Sequence, residues 1–197
     1  VWIMLDGVDI YCEDDAAIIV DQADKVFLTL AEGSENYVET GSEYSDEALE
    51  DNTNAAIFSH DDLTINGSGS LTVSTSYRHG IVSKDDLVIT GGTISVTVPE
   101  DGLKANDYLK IANADITIDA GDDGIHSDTD FYIESGTLLI SECYEGIEAI
   151  TIEIAGGDIT IYPSDDGLNA NGGSSDTFGM GGGMGGGMGG GPRGQEQ

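Results

Sequence analysis

The chain is 197 residues long and carries 38 Asp and Glu against 6 Lys and Arg, a formal charge of −32. That charge excludes nucleic acid and anionic membrane surfaces as partners, since nothing here replaces the counterions of a phosphate backbone, and it disfavours direct capture of an acidic ligand unless cations lie between the two. A hydrophobic content of 39% is too high for a disordered acidic tail, and no apolar run reaches the roughly 20 residues of a membrane span.

The chain opens in mid-pattern at Val1-Trp2-Ile3-Met4-Leu5, which reads as a strand and predicts further sequence upstream. Cys12 and Cys143 make neither a metal spacing nor a disulfide framework and read as two small, mostly buried side chains. Ala17-Ile18-Ile19-Val20 and Ala56-Ile57-Phe58-Ser59 are weak copies of a strand that recurs downstream. Between them, residues 32–54 hold eight acids and little apolar matter, and are expected to form a solvated loop with one helical turn at Ser45 to Leu49.

From Leu63 onward the chain repeats. One series runs Gly80-Ile81-Val82-Ser83, Gly102-Leu103-Lys104-Ala105, Gly124-Ile125-His126-Ser127, Gly146-Ile147-Glu148-Ala149 and Gly167-Leu168-Asn169-Ala170, with glycines 22, 22, 22 and 21 apart. A second (Leu71-Thr72-Val73 to Ile159-Thr160-Ile161) and a third (Leu63-Thr64-Ile65 to Ile152-Glu153-Ile154) keep step with it. Each reads apolar–polar–apolar, the signature of a strand with one buried face. Turn signals such as Asn66-Gly67, Gly91-Gly92 and Gly156-Gly157 separate them. Three short strands per 22 residues leave no room for a helix, so the expected fold is an all-β, single-stranded parallel β-helix over residues 1–171, each coil stacking on the last. Residues 172–197 are Gly/Met-rich and cannot bury a core; they read as a flexible tail, with a soft-metal site on three methionines the weaker alternative.

Equivalent positions of successive coils stack into ladders. The second series presents a hydroxyl-rich face, Thr72, Ser95, Thr117, Leu139 and Thr160. The first presents Val82, Lys104, His126, Glu148 and Asn169, a heterogeneous set that stacking alone does not explain. The turn before each of these strands ends in Arg78-His79, Glu100-Asp101, Asp122-Asp123, Tyr144-Glu145 and Asp165-Asp166. Asp101, Asp123, Glu145 and Asp166 therefore form a carboxylate ladder, and two unit charges ~5 Å apart repel by about 3 kcal/mol at an effective dielectric near 20. Such a ladder persists if it is solvated, shares protons or is bridged by cations. Ca2+ suits it best, because that ion takes six to eight oxygens in flexible geometry. Asp-Asp-Gly is also ordinary turn chemistry, the acid accepting turn N–H groups and the glycine taking positive φ. Four stacked copies, with Asp128, Glu148 and Asn169 close by, favour the metal.

The runs Leu63-Thr64-Ile65-Asn66-Gly67-Ser68-Gly69, Gly80 to Leu87, Asp122 to Asp128, Tyr144 to Ala149 and Ser164 to Ala170, together with Leu28 to Asn36 and the Gly-Met tail, resemble the secreted bacterial carbohydrate-binding β-helix domains common in clostridia. The resemblance implies a right-handed parallel β-helix, pectate-lyase-like in shape, with bound calcium and affinity for plant cell-wall polysaccharide, including pectic acid. Carried onto this chain, the metal positions are Asp101, Asp122, Asp123, Glu145, Asp165 and Asp166, with Glu148 from the strand. Arg78-His79 departs from the pattern, so the metal cluster begins no earlier than Glu100.

Three functions compete. A binding module would hold calcium between its own acids and uronate carboxylates, with Lys104, His126 and Tyr144 contacting sugar and Tyr77 a weaker candidate. Its partner would be an acidic polysaccharide, or a neutral one such as cellulose. A polysaccharide lyase would need a base to take the C5 proton, and Lys104 is the basic residue of the repeats on the ladder's face. A surface spacer or end-to-end filament is the third, which leaves the oligomeric state open. The expected location is secreted or at the cell surface.

Overall fold

Alternation of apolar and polar residues leaves each short strand one face to bury, and a chain of such strands does so by winding around a common axis. The computed structural model describes residues 1–170 and shows this winding. The strands are β1 (Trp2–Leu5), β2 (Asp9–Cys12) and β3 (Ile18–Val20) in the first coil; β4 (Val26–Leu30), β5 (Glu35–Thr40) and β6 (Ala55–Ser59), with helix α1 (Asp46–Glu50) before β6, in the second; and β7 (Leu63–Gly67), β8 (Ser70–Thr75) and β9 (His79–Ser83) in the third. There follow β10 (Leu87–Ile89), β11 (Thr93–Val98) and β12 (Leu103–Ala105); β13 (Tyr108–Ile111), β14 (Ala114–Ala120) and β15 (Ile125–Ser127); β16 (Asp130–Ile133), β17 (Gly136–Cys143) and β18 (Ile147–Ala149); and β19 (Thr151–Ile154), β20 (Asp158–Pro163) and β21 (Leu168–Ala170). Every third strand belongs to the same sheet, giving three parallel seven-stranded sheets and seven coils. This is the parallel β-helix expected. The Gly/Met-rich tail, 172–197, lies outside the described residues.

Register aligns like with like. Leu63, Leu87, Leu109 and Phe131 stack inward in the first sheet, and Ile57, Ile81, Leu103, Ile125 and Ile147 in the third. All are buried and belong to one continuous core. Each such side chain contributes about 1.5–3 kcal/mol on leaving water.

The two corners that matter here use glycine for different reasons. Between the first and second strands every coil has one residue with left-handed backbone: Gly7, Gly33, Gly67, Gly92, Asn113, Gly136 and Gly157. Gly102, Gly124, Gly146 and Gly167, at the turns before the third-sheet strands, do not take positive φ, contrary to the turn-chemistry reading. A Cβ on Gly124 would lie 2.6 Å from Ile140 Cδ1 and 2.8 Å from the Gly146 carbonyl oxygen, so these glycines let adjacent coils approach.

Residues 32–54 are not the single loop expected. Glu35–Thr40 is strand β5, paired with both β2 and β8. Its inward position is disguised because Asn36 stands where the repeats put an aliphatic residue. That asparagine is buried, accepts from the Gly7 and Val8 amides at 3.0 and 3.1 Å, and donates to Ser34 Oγ and the Ser70 carbonyl at 2.9 Å each. The true insertion is 41–54. In it the Ser45 side chain accepts from the Ala48 amide and caps α1, whose first turn is acidic. Tyr44 ties the insertion down: its hydroxyl donates to the Ala55 carbonyl at 2.8 Å and its ring meets Tyr77 at 4.4 Å. Phe58 and Val82, though outward-facing on the third sheet, are buried with Ala16 and Ala55 in a satellite cluster.

Candidate functional site

Beyond that satellite cluster the outer face of the third sheet is polar. β12, β15, β18 and β21 pair in register and set Lys104, His126, Glu148 and Asn169 in one column. The preceding turns stack just as tightly, with Gly102 N–H donating to the Asp123 carbonyl, Gly124 N–H to Glu145 and Gly146 N–H to Asp166 at 2.8–2.9 Å. Turn ladder and strand column together line an open groove of about 310 Å3, formed by Asp101, Lys104, Asp122, Asp123, His126, Tyr144, Glu145, Glu148 and Asn169. Asp165 and Asp166 stand outside that lining and meet the site through Glu145.

Within the groove, acids and bases alternate. Lys104 Nζ donates to Asp101 Oδ2 at 2.7 Å. His126 lies among three carboxylates, with Nδ1 2.9 Å from Asp123 and 3.1 Å from Glu148, and Nε2 3.0 Å from Asp128. Its pKa is raised, chiefly by the hydrogen bond with Asp123. Asn169 donates from its amide to both Glu145 oxygens, at 2.8 and 2.9 Å. Asp101 and Asp123 are only 3% and 5% exposed, and the Asp123 amide donates to Asp101 Oδ1 at 3.3 Å. Asp122, on the rim, has its pKa raised by partial burial and then by Asp101. The Tyr144 ring stands half-exposed, its hydroxyl pKa raised mainly through its hydrogen bond with Asp165.

The first rung differs, as its sequence does. His79 is buried, and burial pushes its pKa down to about 4. Neutral, its Nδ1 accepts the Asp101 amide at 3.2 Å, leaving Nε2 to face Glu100 at 3.4 Å. An uncharged imidazole thus closes the ladder at the end where the acids stop.

Three groups bring ligand atoms within 4.8 Å of one another: Asp101, Asp122 and Asp123; Glu145, Asp165 and Asp166; and Asp123, His126 and Glu148. Two oxygens bound to calcium at ~2.4 Å lie at most ~4.8 Å apart, so the first two groups suit a hard cation without rearrangement of the coil. The third contains an imidazole already held by carboxylates, and Glu148 belongs with His126 rather than with either all-oxygen group. Periodicity locates the acids and the column; it does not reveal that Lys104, His126 and Asn169 hold those acids, which depends on side-chain reach across rungs.

A family model described as carbohydrate-binding domain-containing protein matches residues 1–149. A carbohydrate-binding domain-containing protein of Acetivibrio thermocellus is 43% identical over 95 residues, 48% of this chain and 33% of that protein. The chain therefore spans about a third of the length of that curated relative. Among solved structures, a polysaccharide lyase-like protein from C. thermocellum, described as a gadolinium derivative, superposes with a TM-score of 0.69 at 32% identity, over 85% of this chain and 74% of that one.

Proposed function

The chain belongs to the family of carbohydrate-binding domain-containing proteins, and on that premise we propose that it is a calcium-dependent module for acidic plant cell-wall polysaccharide, with polygalacturonate the first choice. The observation that carries this reading is the stack of turn carboxylates, two of them buried, along an open groove. Calcium bound there would neutralise the stack and offer its remaining coordination positions to sugar carboxylates. Asp101, Asp122 and Asp123 would hold one ion, and Glu145, Asp165 and Asp166 another. Asn169 covers Glu145 in the present arrangement, and a half-turn of its amide would present its oxygen to the same ion. The lyase-like neighbour was described as a gadolinium derivative; gadolinium is a hard cation, and the donors here are of the kind hard cations prefer.

The chain's own residues favour binding over lyase chemistry. A base must give up its proton before it takes one, and the Lys104 ammonium is committed to Asp101 at 2.7 Å. Lys104 and Tyr144 are assigned instead to sugar contact along the groove, and His126 to holding Asp123 and Glu148 in place. Because the proposed ligand lies outside cells, the chain is assigned a secreted or cell-surface location.

Retention on immobilised polygalacturonate, first with calcium and then with a chelator, tests this. Retention abolished by the chelator is expected. Equal retention in both conditions removes the metal bridge, and no retention in either removes the acidic ligand. Release of unsaturated uronates, seen by their ultraviolet absorbance, would restore the lyase reading.

A further inference from the structure

A chain of −32 has carboxylates in excess for every cation, yet among the described residues two of the five Lys and Arg side chains form no ion pair. Lys25 pairs with Asp62, Lys104 with Asp101 and Lys110 with Glu134. Among the described residues, Arg78 and Lys84 have no carboxylate within ion-pair distance, and both line one cleft of about 190 Å3 where the 41–54 insertion meets the third coil. Two polar atoms on the insertion's wall are buried without a hydrogen-bond partner, Thr53 Oγ1 and Asn54 Oδ1. Thr53 is only 1% exposed. A buried polar atom without a partner is costly to keep, and Thr53 and Asn54 belong to the wall of a cleft that also holds two cations.

The cations are held in place. Tyr77 stacks on buried Tyr44, Arg78 lies 5.5 Å over the Tyr77 ring, and its Nε donates to the Tyr77 hydroxyl at 3.1 Å. That leaves both terminal amines of the guanidinium, the fork that fits a carboxylate. Lys84 Nζ sits 5.5 Å from the Phe58 ring, and burial, then the charge of Lys104, lowers its pKa. Arg78 also takes a left-handed backbone, φ 50, where its ladder equivalents Glu100, Asp122, Tyr144 and Asp165 do not. Asparagine or glycine would occupy that conformation more cheaply.

We propose that this cleft is an anion subsite that binds the carboxylate of one uronic acid residue directly, with no metal: Arg78 and Lys84 supply the charge, Thr53 the hydroxyl and Tyr77 an aromatic edge for the sugar ring. The assignment rests on the acidic-glycan reading above and deepens it. The cleft adjoins the ladder's first rung: Arg78 stands one coil (~4.8 Å) from Glu100, whose amide donates to the Arg78 carbonyl, so a polyuronate lying along the groove meets calcium on the acidic rungs and cations without an ion pair where the acids end. Direct capture of an acidic ligand, disfavoured by the overall charge, becomes local.

The test uses trigalacturonate in chelator, read by calorimetry and by the NMR signal of the Arg78 Nε–H. Binding is expected, with galactotriose inert and with affinity lowered about tenfold or more in Arg78→Asn/Lys84→Gln, for loss of a charge-assisted pair. Asparagine suits the left-handed backbone, so the fold should survive. Thr53→Val supplies an independent variant: removing an unpartnered buried hydroxyl should raise the melting temperature while weakening trigalacturonate, opposite signs that a purely structural role does not give. No binding in chelator, with calcium-dependent retention intact, overturns the subsite and leaves the ladder standing. Binding in chelator without calcium-dependent retention keeps the subsite and removes the ladder. Equal response to galactotriose or to inorganic sulfate overturns the uronate assignment.

Discussion

Gly124 and Gly167 occupy the same position of the Asp-Asp-Gly turn, and their surroundings separate them. A Cβ on Gly124 would press on Ile140 and the Gly146 carbonyl at 2.6–2.8 Å, whereas on Gly167 the nearest described atom is Pro163 Cγ at 4.0 Å. Gly124→Ala should therefore lower stability by roughly 1–3 kcal/mol, as overpacking against backbone does, and Gly167→Ala should be close to neutral; denaturant midpoints compare them directly. Tyr44 gives a second prediction. Burial holds its hydroxyl pKa up at about 12 against an ordinary 10, so the folded state prefers the protonated phenol. The corresponding stability, about 3 kcal/mol at full expression, is intact below pH 10 and is lost as pH rises from 10 to 12. Alkaline unfolding should accordingly show a loss in that window which Tyr44→Phe removes. An unchanged curve in the variant would mean that Tyr44 ionises as it does in the unfolded chain.

At the scale of elements, the insertion is the piece whose stability is its own. α1 has a single buried side chain, Ala48, and depends on the Ser45 cap. Ser45→Ala should cost about 1 kcal/mol, and hydrogen exchange should register it as lost protection in 46–51 with the coils unchanged. If exchange quickens throughout, the insertion is part of the coil's cooperative unit. The same division explains what could be read from sequence. Strands from β7 onward are legible because stacking at constant spacing forces apolar residues into phase, as Ile81, Leu103, Ile125 and Ile147 show. β5 is not, because Asn36 satisfies its amide internally and so occupies a core position with a polar side chain. The carboxylate ladder is legible for the same reason the strands are. The basic cleft is not, since Thr53 and Asn54 reach Arg78 and Lys84 only through an insertion that occurs once and has no period to betray it.

For the molecule as a whole the governing quantity is the −32 charge on a scaffold that holds its acids in file. A β-helix cannot spread a ladder out: its rungs are ~4.8 Å apart because its strands are. Without a cation, removing a ladder charge that has no cationic partner should relieve repulsion, and added monovalent salt should do the same by screening. With calcium the sign reverses, because binding to the folded state adds RT ln(1 + [Ca]/Kd), about 2.7 kcal/mol at a hundredfold excess over Kd, or a rise in melting temperature on the order of 5 °C. Asp122 is the residue to test. It is exposed enough to replace without opening the core, and its pKa is raised by partial burial and then by the neighbouring Asp101 charge. Asp122→Asn should melt at or above the parent temperature in chelator and below it in calcium, so that the two curves cross. Loss of stability in both conditions would mean that the Asp122 carboxylate supports the turn itself. A calcium response equal to the parent's would take it out of the metal set and leave Asp101 and Asp123 to hold the ion without it.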